Sequence, residues 1–136
     1  MNKLRHTTGC LYQSAYHIVW RPVYRRNALK EPVKTTLEGL LHTIAYQHGM
    51  EVLTVDVQPD HVHLCVSIPP SLSVSNAVKL LKGISARQLR LTFPDLRKRT
   101  RADRFWAPSY YFGTAGHVSA ETIKQYIEAQ EQHHAE

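Results

Sequence analysis

The feature that most constrains the fold of this chain is a pair of alternating, β-branched runs separated by a tight turn. Residues 50–57 and 61–68 alternate apolar and polar side chains, which is the pattern of a strand with two unlike faces. Pro59-Asp60 lies between the two runs, and proline and aspartate both favour turns. The sequence therefore predicts a β-hairpin over residues 50–68.

Two helical patterns flank this hairpin. Apolar residues recur three and four positions apart over residues 33–48, and Gly49 is a natural stop for that helix. A second amphipathic helix can be capped by Ser73 or Ser75 and is interrupted at Phe93-Pro94. The residues predicted to form its buried side are Val74, Ala77, Val78, Leu81, Ile84 and Ala86.

Further elements complete the predicted order. Residues 10–21 and 106–113 are rich in aromatic and β-branched types and predict a first and a fourth strand. Residues 95–104 predict a charged connection with little to pack, and residues 120–132 predict a closing helix. The result is an α+β fold of the ferredoxin-like, RRM-like β-α-β-β-α-β type, in which an antiparallel sheet carries helices on one face, plus a C-terminal helix.

Length and composition are those of one ordinary globular domain. The 136 residues contain no linker or repeat, so residues 1–136 are interpreted as a single domain. No apolar run approaches the roughly 18 residues needed to span a membrane, and the first nine residues lack the apolar core of a signal peptide. Cys10 and Cys65 form no CxxC pair. We expect a reduced, cytoplasmic protein without membrane contact.

The charge of the chain suggests a polyanionic partner. Seventeen Lys and Arg residues stand against eleven acids, for a net charge of +6 and a pI near 9.5. The basic residues form two blocks, one before Glu31 and one over residues 79–104. Nucleic acid is the usual partner of such blocks, although surface cations can also be simply solvated. The candidate DNA contacts are Arg25, Arg26, Lys82, Arg87, Arg97, Lys98 and Arg99.

The hairpin also carries a His-x-His motif. On a strand, His61 and His63 share one face, while Val62 and Leu64 take the other. Neutral imidazole is a common metal ligand, so the pair could bind one ion. The alternative is that the two histidines decorate a polar solvent face. Asp60 could support an imidazole or simply form the turn.

A second candidate group lies on the predicted closing helix. Tyr126 and Gln130 are four residues apart and so share one face of that helix. The amide oxygen of Gln130 can bind a hard cation, and two imidazoles with one amide oxygen suit Mg²⁺ or Mn²⁺ better than structural zinc. Tyr126 could equally be a core residue. Tyr110 and Tyr111 are rival nucleophiles, but core packing or base stacking is the better interpretation of both.

Taken together, these motifs resemble the HUH-class, single-tyrosine transposases of small insertion sequences, which act on single-stranded DNA. The resemblance runs in order from about residue 11 to residue 130. Val23 stands where a lysine is frequent in that family, and Ala115 stands where a valine is common. The matching motifs are Tyr16-His17-Ile18-Val19-Trp20, Tyr24-Arg25-Arg26, Pro59-Asp60-His61-Val62-His63, Leu81-Lys82-Gly83-x-Ser85-Ala86-Arg87, Trp106-x-Pro108-Ser109-Tyr110 and Tyr126-x-x-x-Gln130.

The resemblance implies a function and a site. His61, His63 and Gln130 would bind a divalent metal ion, Mg²⁺ or Mn²⁺, and Tyr126 would be the nucleophile that forms a 5′-phosphotyrosine. The resemblance also implies a homodimer with active sites completed in trans and a substrate of hairpin-containing, single-stranded element ends. Two alternatives stay open: a non-catalytic nucleic-acid-binding module of the same fold, and a domesticated relative that only nicks DNA.

Other aromatic and histidine residues are interpreted as structural. Trp20 and Trp106 are predicted to lie in the core. His17 falls on the opposite strand face from Tyr16 and Ile18, and we interpret it as a buried histidine whose hydrogen bonds are satisfied.

Overall fold

The two described helices and the four strands of the main sheet follow one another in the predicted order, and an unpredicted strand over residues 5–7 precedes them. The computed structural model describes residues 5–7, 10–12, 14–23, 27–96 and 104–115. Their elements are β1 (Arg5–Thr7), β2 (Cys10–Tyr12), β3 (Ala15–Trp20), α1 (Val33–Gln47), β4 (Glu51–Gln58), β5 (His61–Ser67), α2 (Val74–Thr92) and β6 (Tyr111–Thr114).

The main sheet has four strands in the order β4-β5-β3-β6, and all neighbouring strands are antiparallel. Residues of α1 and α2 pack with Ile18 and Trp20 of β3 and with Val62, Leu64 and Val66 of β5 in one buried cluster. Both helices therefore lie on the same face of the sheet, which we call the helical face. This arrangement confirms the predicted α+β fold and its β-α-β-β-α-β order.

The helix ends are set by local chemistry. α1 is followed by Gly49, whose positive φ of 76° is a conformation that glycine adopts without strain. α2 begins after Ser73, whose hydroxyl accepts a hydrogen bond of 3.0 Å from the Asn76 N–H. The buried stripe of α2 differs from the prediction, because Val74, Ile84 and Ala86 are only partly buried. The fully buried residues are Ala77, Val78, Leu81, Ser85 and Leu89.

The predicted first strand, residues 10–21, is two strands with different partners. β2 pairs with β1 in a separate two-stranded sheet, whereas β3 pairs with β5 and β6. Ser14 lies between them, and its hydroxyl donates to the Ile68 carbonyl at 2.8 Å. The Ser67 hydroxyl in turn donates to the Ser14 carbonyl at 2.9 Å. These bonds anchor the start of β3 beside the end of β5.

The predicted fourth strand, residues 106–113, begins later than expected. β6 is confined to four residues because the backbone before it bonds to other partners. The Ala107 N–H donates to the Arg21 carbonyl at 2.9 Å. The Lys82 ammonium donates to the carbonyls of Ala107 and Ser109, at 2.6 and 3.3 Å. The segment preceding β6 is therefore fixed to α2 and to the end of β3.

The connection after α2 is better packed than predicted. Leu96 is 1% exposed and belongs to the main core, which contradicts the expectation of little packing over residues 95–104. Trp20 and Trp106 are buried as predicted, with ring centroids 5.8 Å apart and nearly perpendicular planes. The predicted closing helix, residues 120–132, lies outside the described residues. Within the described ranges, no helix has the length and apolar character to cross a bilayer.

Candidate active site

β5 places the two histidines of the His-x-His motif side by side, as predicted. The imidazole centroids of His61 and His63 are 4.4 Å apart, with their planes 37° apart. Val62 and Leu64 point into the core between the sheet and the helices. The histidines therefore lie on the opposite face of the sheet, which we call the histidine face.

The histidine face is not a solvent face. His61 is 6% exposed and His63 is 2% exposed, and all seven residues of β5 are buried. The interpretation of the pair as decoration on a polar, solvated face is therefore wrong. Two buried imidazoles in contact form an enclosed site whose geometry is restricted by its neighbours.

Asp60 fulfils both roles considered for it. It lies in the turn between β4 and β5, and its Oδ1 is 2.5 Å from the Nδ1 of His61. Because an ionised carboxylate only accepts hydrogen bonds, this contact favours a proton on Nδ1 and leaves the lone pair of Nε2 for a ligand. A carboxylate in this position is the usual support of a metal-binding histidine.

The neighbouring strand adds a second carboxylate that sequence reasoning missed. Asp56 is directly opposite His63 in the β4–β5 register, and its Oδ2 is 3.9 Å from His63 Nδ1. The Gln58 amide donates to the other oxygen of Asp56 at 2.8 Å. The sequence did contain a signal for this contact. Asp56 and Gln58 are two residues apart on the other strand of the predicted hairpin, so their side chains share one face of that strand.

His17 is part of the same face, and its environment differs from the prediction. Its ring is 4% exposed and lies edge-on to His63, with centroids 5.9 Å apart. Among the described residues, neither ring nitrogen of His17 has a hydrogen-bond partner, so the expectation of satisfied hydrogen bonds is wrong. Burial lowers the pKa of His17 to about 4. The ring is therefore neutral at pH 7 and does not repel a cation held nearby.

The two rival tyrosines lie on different sides of the sheet. Tyr111 lies on the histidine face, with its ring centroid 6.3 Å from that of His17. Tyr110 precedes β6 and packs on Phe112, with ring centroids 6.2 Å apart, beneath the ammonium of Lys82. Tyr110 also packs against the main core, which agrees with the predicted packing role.

The donor set of the histidine face fits a divalent cation only in part. His61 and His63 offer two imidazole rings, and the Asp60 carboxylate orients the ring of His61. Within residues 5–7, 10–12, 14–23, 27–96 and 104–115, no three His, Cys, Asp or Glu side chains form a metal-binding group. A cation held by this pair therefore needs further oxygen ligands. The predicted third ligand, Gln130, and the predicted nucleophile, Tyr126, lie outside the described residues.

The predicted DNA contacts on α2 have unlike surroundings. The Lys82 ammonium is bound to two backbone carbonyls, and its pKa is lowered by burial and by the charge of Arg104. Arg87, in contrast, is exposed. The remaining candidates lie outside the described residues: Arg25, Arg26, Arg97, Lys98 and Arg99.

Comparison with known proteins shows which family this arrangement belongs to. Residues 10–130 match the sequence model of the family described as "Transposase IS200 like". The chain is 38% identical over 128 residues to the ISDra2 transposase TnpA of Deinococcus radiodurans, a match that covers 94% of this chain and 91% of that protein. It is 34% identical over 127 residues to the transposase for insertion sequence element IS200 of Salmonella typhimurium, covering 93% and 81%.

Solved structures agree with this result. A crystal structure of a candidate transposase from Deinococcus radiodurans superposes with a TM-score of 0.77 at 36% identity, over 93% of this chain and 97% of the other. A tyrosine transposase bound to a REP hairpin shares the fold, with a TM-score of 0.57 at 13% identity, over 93% and 68%. The chain belongs to the family of IS200-like transposases.

Proposed function

We propose that this transposase cleaves and rejoins single-stranded DNA at the ends of an insertion sequence, with Tyr126 as the nucleophile. The observation that carries the proposal is the buried histidine pair, in which His61 is fixed by Asp60. Family membership supports DNA cleavage and strand transfer as the class of reaction. Family membership also makes a non-catalytic nucleic-acid-binding module the weaker alternative.

The proposed metal site combines His61 and His63 with Gln130. A bound Mg²⁺ or Mn²⁺ ion would supply charge stabilisation for the scissile phosphate and for the leaving oxygen. The chain's own contribution is orientation. Asp60 favours the His61 tautomer with Nε2 free, and the ring of His17 packs edge-on against His63.

The proposed chemistry is a transesterification in two steps. The hydroxyl oxygen of Tyr126 forms a bond to phosphorus as the bond from phosphorus to the 3′ oxygen breaks. The phenolic proton leaves, and the departing oxygen gains a proton as a 3′-hydroxyl. The product is a 5′-phosphotyrosine. Because one phosphodiester replaces another, a second 3′-hydroxyl can reverse the step and join new ends without ATP, whereas water as acceptor would give a nuclease.

The test of this proposal is formation of a covalent adduct. Labelled single-stranded element ends with predicted hairpins are incubated with the protein and Mg²⁺, then separated on a denaturing gel. We expect a 5′-linked adduct on single strands and not on duplex, lost in Tyr126→Phe while DNA binding is kept. Tyr46→Phe is the matched control, since Tyr46 is 85% exposed on α1.

Three outcomes would change the proposal. An adduct that persists in Tyr126→Phe would assign the nucleophile to another residue. An equal adduct on duplex would contradict single-strand specificity. Cleavage without any rejoined product when a second 3′-hydroxyl end is supplied would indicate the domesticated, nicking-only relative.

The proposed homodimer can be tested by mixing two inactive variants. If Tyr126 of one subunit completes the site of the other, a heterodimer of Tyr126→Phe and His61→Ala contains one intact site. We therefore expect the mixture to regain adduct formation, measured on the same gel after subunit exchange. Sites assembled within one subunit would leave the mixture as inactive as its components.

A further inference from the structure

A third buried imidazole lies on the histidine face, and the proposed chemistry uses it only for packing. His17 is on β3, the strand between β5 and β6, directly opposite Cys65 on one side and Gly113 on the other. Its ring meets the ring of His63 edge-on, with centroids 5.9 Å apart. His17 therefore lies in the middle of the sheet, beside the histidine pair.

Both ring nitrogens of His17 are buried, and neither has a hydrogen-bond partner among the residues that the structure describes. A neutral imidazole carries one N–H donor and one acceptor, and a charged imidazole carries two donors. At least one N–H is therefore unsatisfied in either protonation state. Burying a donor without a partner destabilises a folded protein. Such groups are rare in native proteins, and a role in catalysis is one recognised reason for them.

Tyr111 encloses His17 from the side of β6 without bonding to it. A Cβ atom added at Gly113 would lie 2.8 Å from the Tyr111 hydroxyl, so the Tyr111 side chain lies over the residue opposite His17. The Tyr111 and His17 ring centroids are 6.3 Å apart, yet no hydrogen bond joins the two side chains. The shape of the His17 ring is thus used for packing, while the described residues leave its nitrogens unused.

The geometry does not favour His17 as a third metal ligand. Within the described part of the chain, no three His, Cys, Asp or Glu side chains form a metal-binding group, and this includes the three imidazoles of the histidine face. The His61 and His63 centroids are 4.4 Å apart, whereas those of His17 and His63 are 5.9 Å apart. His17 lies beside the pair and is not part of one donor set with it. An acceptor oxygen within about 3 Å of a ring nitrogen is the partner that an unsatisfied N–H requires.

We propose that a ring N–H of His17 donates a hydrogen bond to a non-bridging oxygen of the scissile phosphate. The inference rests on the proposed function, which brings that phosphate to His61 and His63. These two rings are 6% and 2% exposed and the ring of His17 is 4% exposed, so a phosphate that reaches the pair enters the enclosure that also buries His17. A donor held in a buried site stabilises the charge that develops on phosphate oxygens during the transfer.

The first test replaces the imidazole with a ring of similar shape. His17→Phe keeps the packing against His63 and Tyr111 but removes both nitrogens, so the thermal unfolding midpoint of the free protein should equal or exceed the wild-type value. Single-turnover cleavage of a single-stranded element end at saturating DNA and Mn²⁺ should be roughly 100-fold slower, the effect of losing one donor to a developing negative charge. His42→Phe is the matched control, because His42 is exposed on α1, and it should cleave at the wild-type rate.

A second measurement detects the hydrogen bond without cleavage. Tyr126→Phe lacks the proposed nucleophile and should hold the DNA uncleaved. The His17 ring N–H is identified by NMR as the imidazole signal that is missing when His17→Phe is added to this variant. We expect that signal to move downfield when the single-stranded element end and Mg²⁺ are added, because a hydrogen bond to a charged oxygen is short and strong.

The outcomes separate this proposal from the proposed function. A wild-type cleavage rate in His17→Phe, or bound DNA that leaves the His17 signal unchanged, would overturn the phosphate contact even where Tyr126 forms its adduct. So would a lower unfolding midpoint in His17→Phe, since the nitrogens would then have partners in the free protein. A higher Mn²⁺ requirement with a normal rate at saturation would assign His17 to the support of His63 instead. A shifted His17 signal in a protein that forms no adduct would retain the contact and reject the covalent chemistry.

Discussion

The polar side chains on the two faces of the sheet differ in their exposure to solvent. On the histidine face, His61 and His63 are 6% and 2% exposed, and their rings contact each other. On the helical side, Arg87 and Arg104 are exposed and form no ion pair among the described residues. One region is enclosed and fixed by its neighbours, and the other is open.

This difference suggests a division of labour. Buried side chains held in one orientation cost little reorganisation when charge develops on a substrate, which favours a role in the chemical step. Exposed guanidinium groups interact with a polyanion over longer distances and are screened by salt, which favours a role in affinity. Substitutions on the two faces should therefore affect rate and affinity separately.

The largest separation is expected for His61→Ala. Loss of one proposed metal ligand should remove several kcal/mol of transition-state stabilisation, which corresponds to a cleavage rate lower by roughly 1,000-fold. DNA affinity should change by less than about twofold, because counterion release from Lys and Arg contacts dominates it. Single-turnover cleavage at saturating DNA measures the rate, and anisotropy measures the affinity.

Arg87→Gln should have the opposite effect to His61→Ala, because it changes DNA affinity and not the cleavage rate. It should weaken DNA binding while the single-turnover rate at saturating DNA stays close to the wild-type value.

The His61 prediction needs its own controls. Since His61 is buried, thermal unfolding must show that His61→Ala is folded, and His61→Gln repeats the test with a side chain of similar size. Full cleavage by either His61 variant, or full wild-type activity in excess chelator, would contradict the metal assignment.

A smaller effect is expected from the carboxylates behind the histidines. Asp60→Asn keeps a hydrogen-bond acceptor but removes the charge 2.5 Å from His61 Nδ1. Metal affinity should fall about 10-fold or more, as for other supports of metal ligands, and higher Mn²⁺ should restore the rate. The measurement is the Mn²⁺ concentration that gives half-maximal cleavage.

Substitutions of two further aspartates should affect the Mn²⁺ requirement less than Asp60→Asn does. Asp56→Asn should have a weaker effect than Asp60→Asn, because its carboxylate oxygen lies 3.9 Å from His63 Nδ1. Asp95→Asn removes the same charge from an exposed position after α2 and should have none. Equal effects of all three substitutions would mean that net charge, and not support of the imidazoles, sets the metal requirement.

The parts of the fold that local patterns encode could be predicted from the sequence. The period-two alternation over residues 61–67 placed His61 and His63 on one face, and the Ser73 cap and the Gly49 stop mark helix ends through their own backbone chemistry. These predictions succeeded because each depends on residues within a few positions of one another.

The errors arose where distant residues decide the outcome. The late start of β6 depends on hydrogen bonds that Ala107 makes with the Lys82 ammonium and with the Arg21 carbonyl, each 25 or more positions away in the chain. The contact of Asp56 with His63 depends on the register of two strands. The basic groove between α2 and residues 104–108 likewise joins Gly83 to Trp106, so no single stretch of sequence contains its pattern.

The smallest expected effect concerns the salt dependence of DNA binding. Arg87→Gln removes one exposed cation from the groove, so the slope of log affinity against log salt should become shallower by about one. Lys79→Gln removes an equal charge from an exposed position on α2 that is not part of the groove lining, and it should change the slope by much less. Anisotropy titrations of oligo(dT) at several salt concentrations measure both slopes. Equal slopes for the two variants would mean that Arg87 acts only through the overall charge of the helix, and the contrast between the enclosed histidine face and a specific open groove would then be lost.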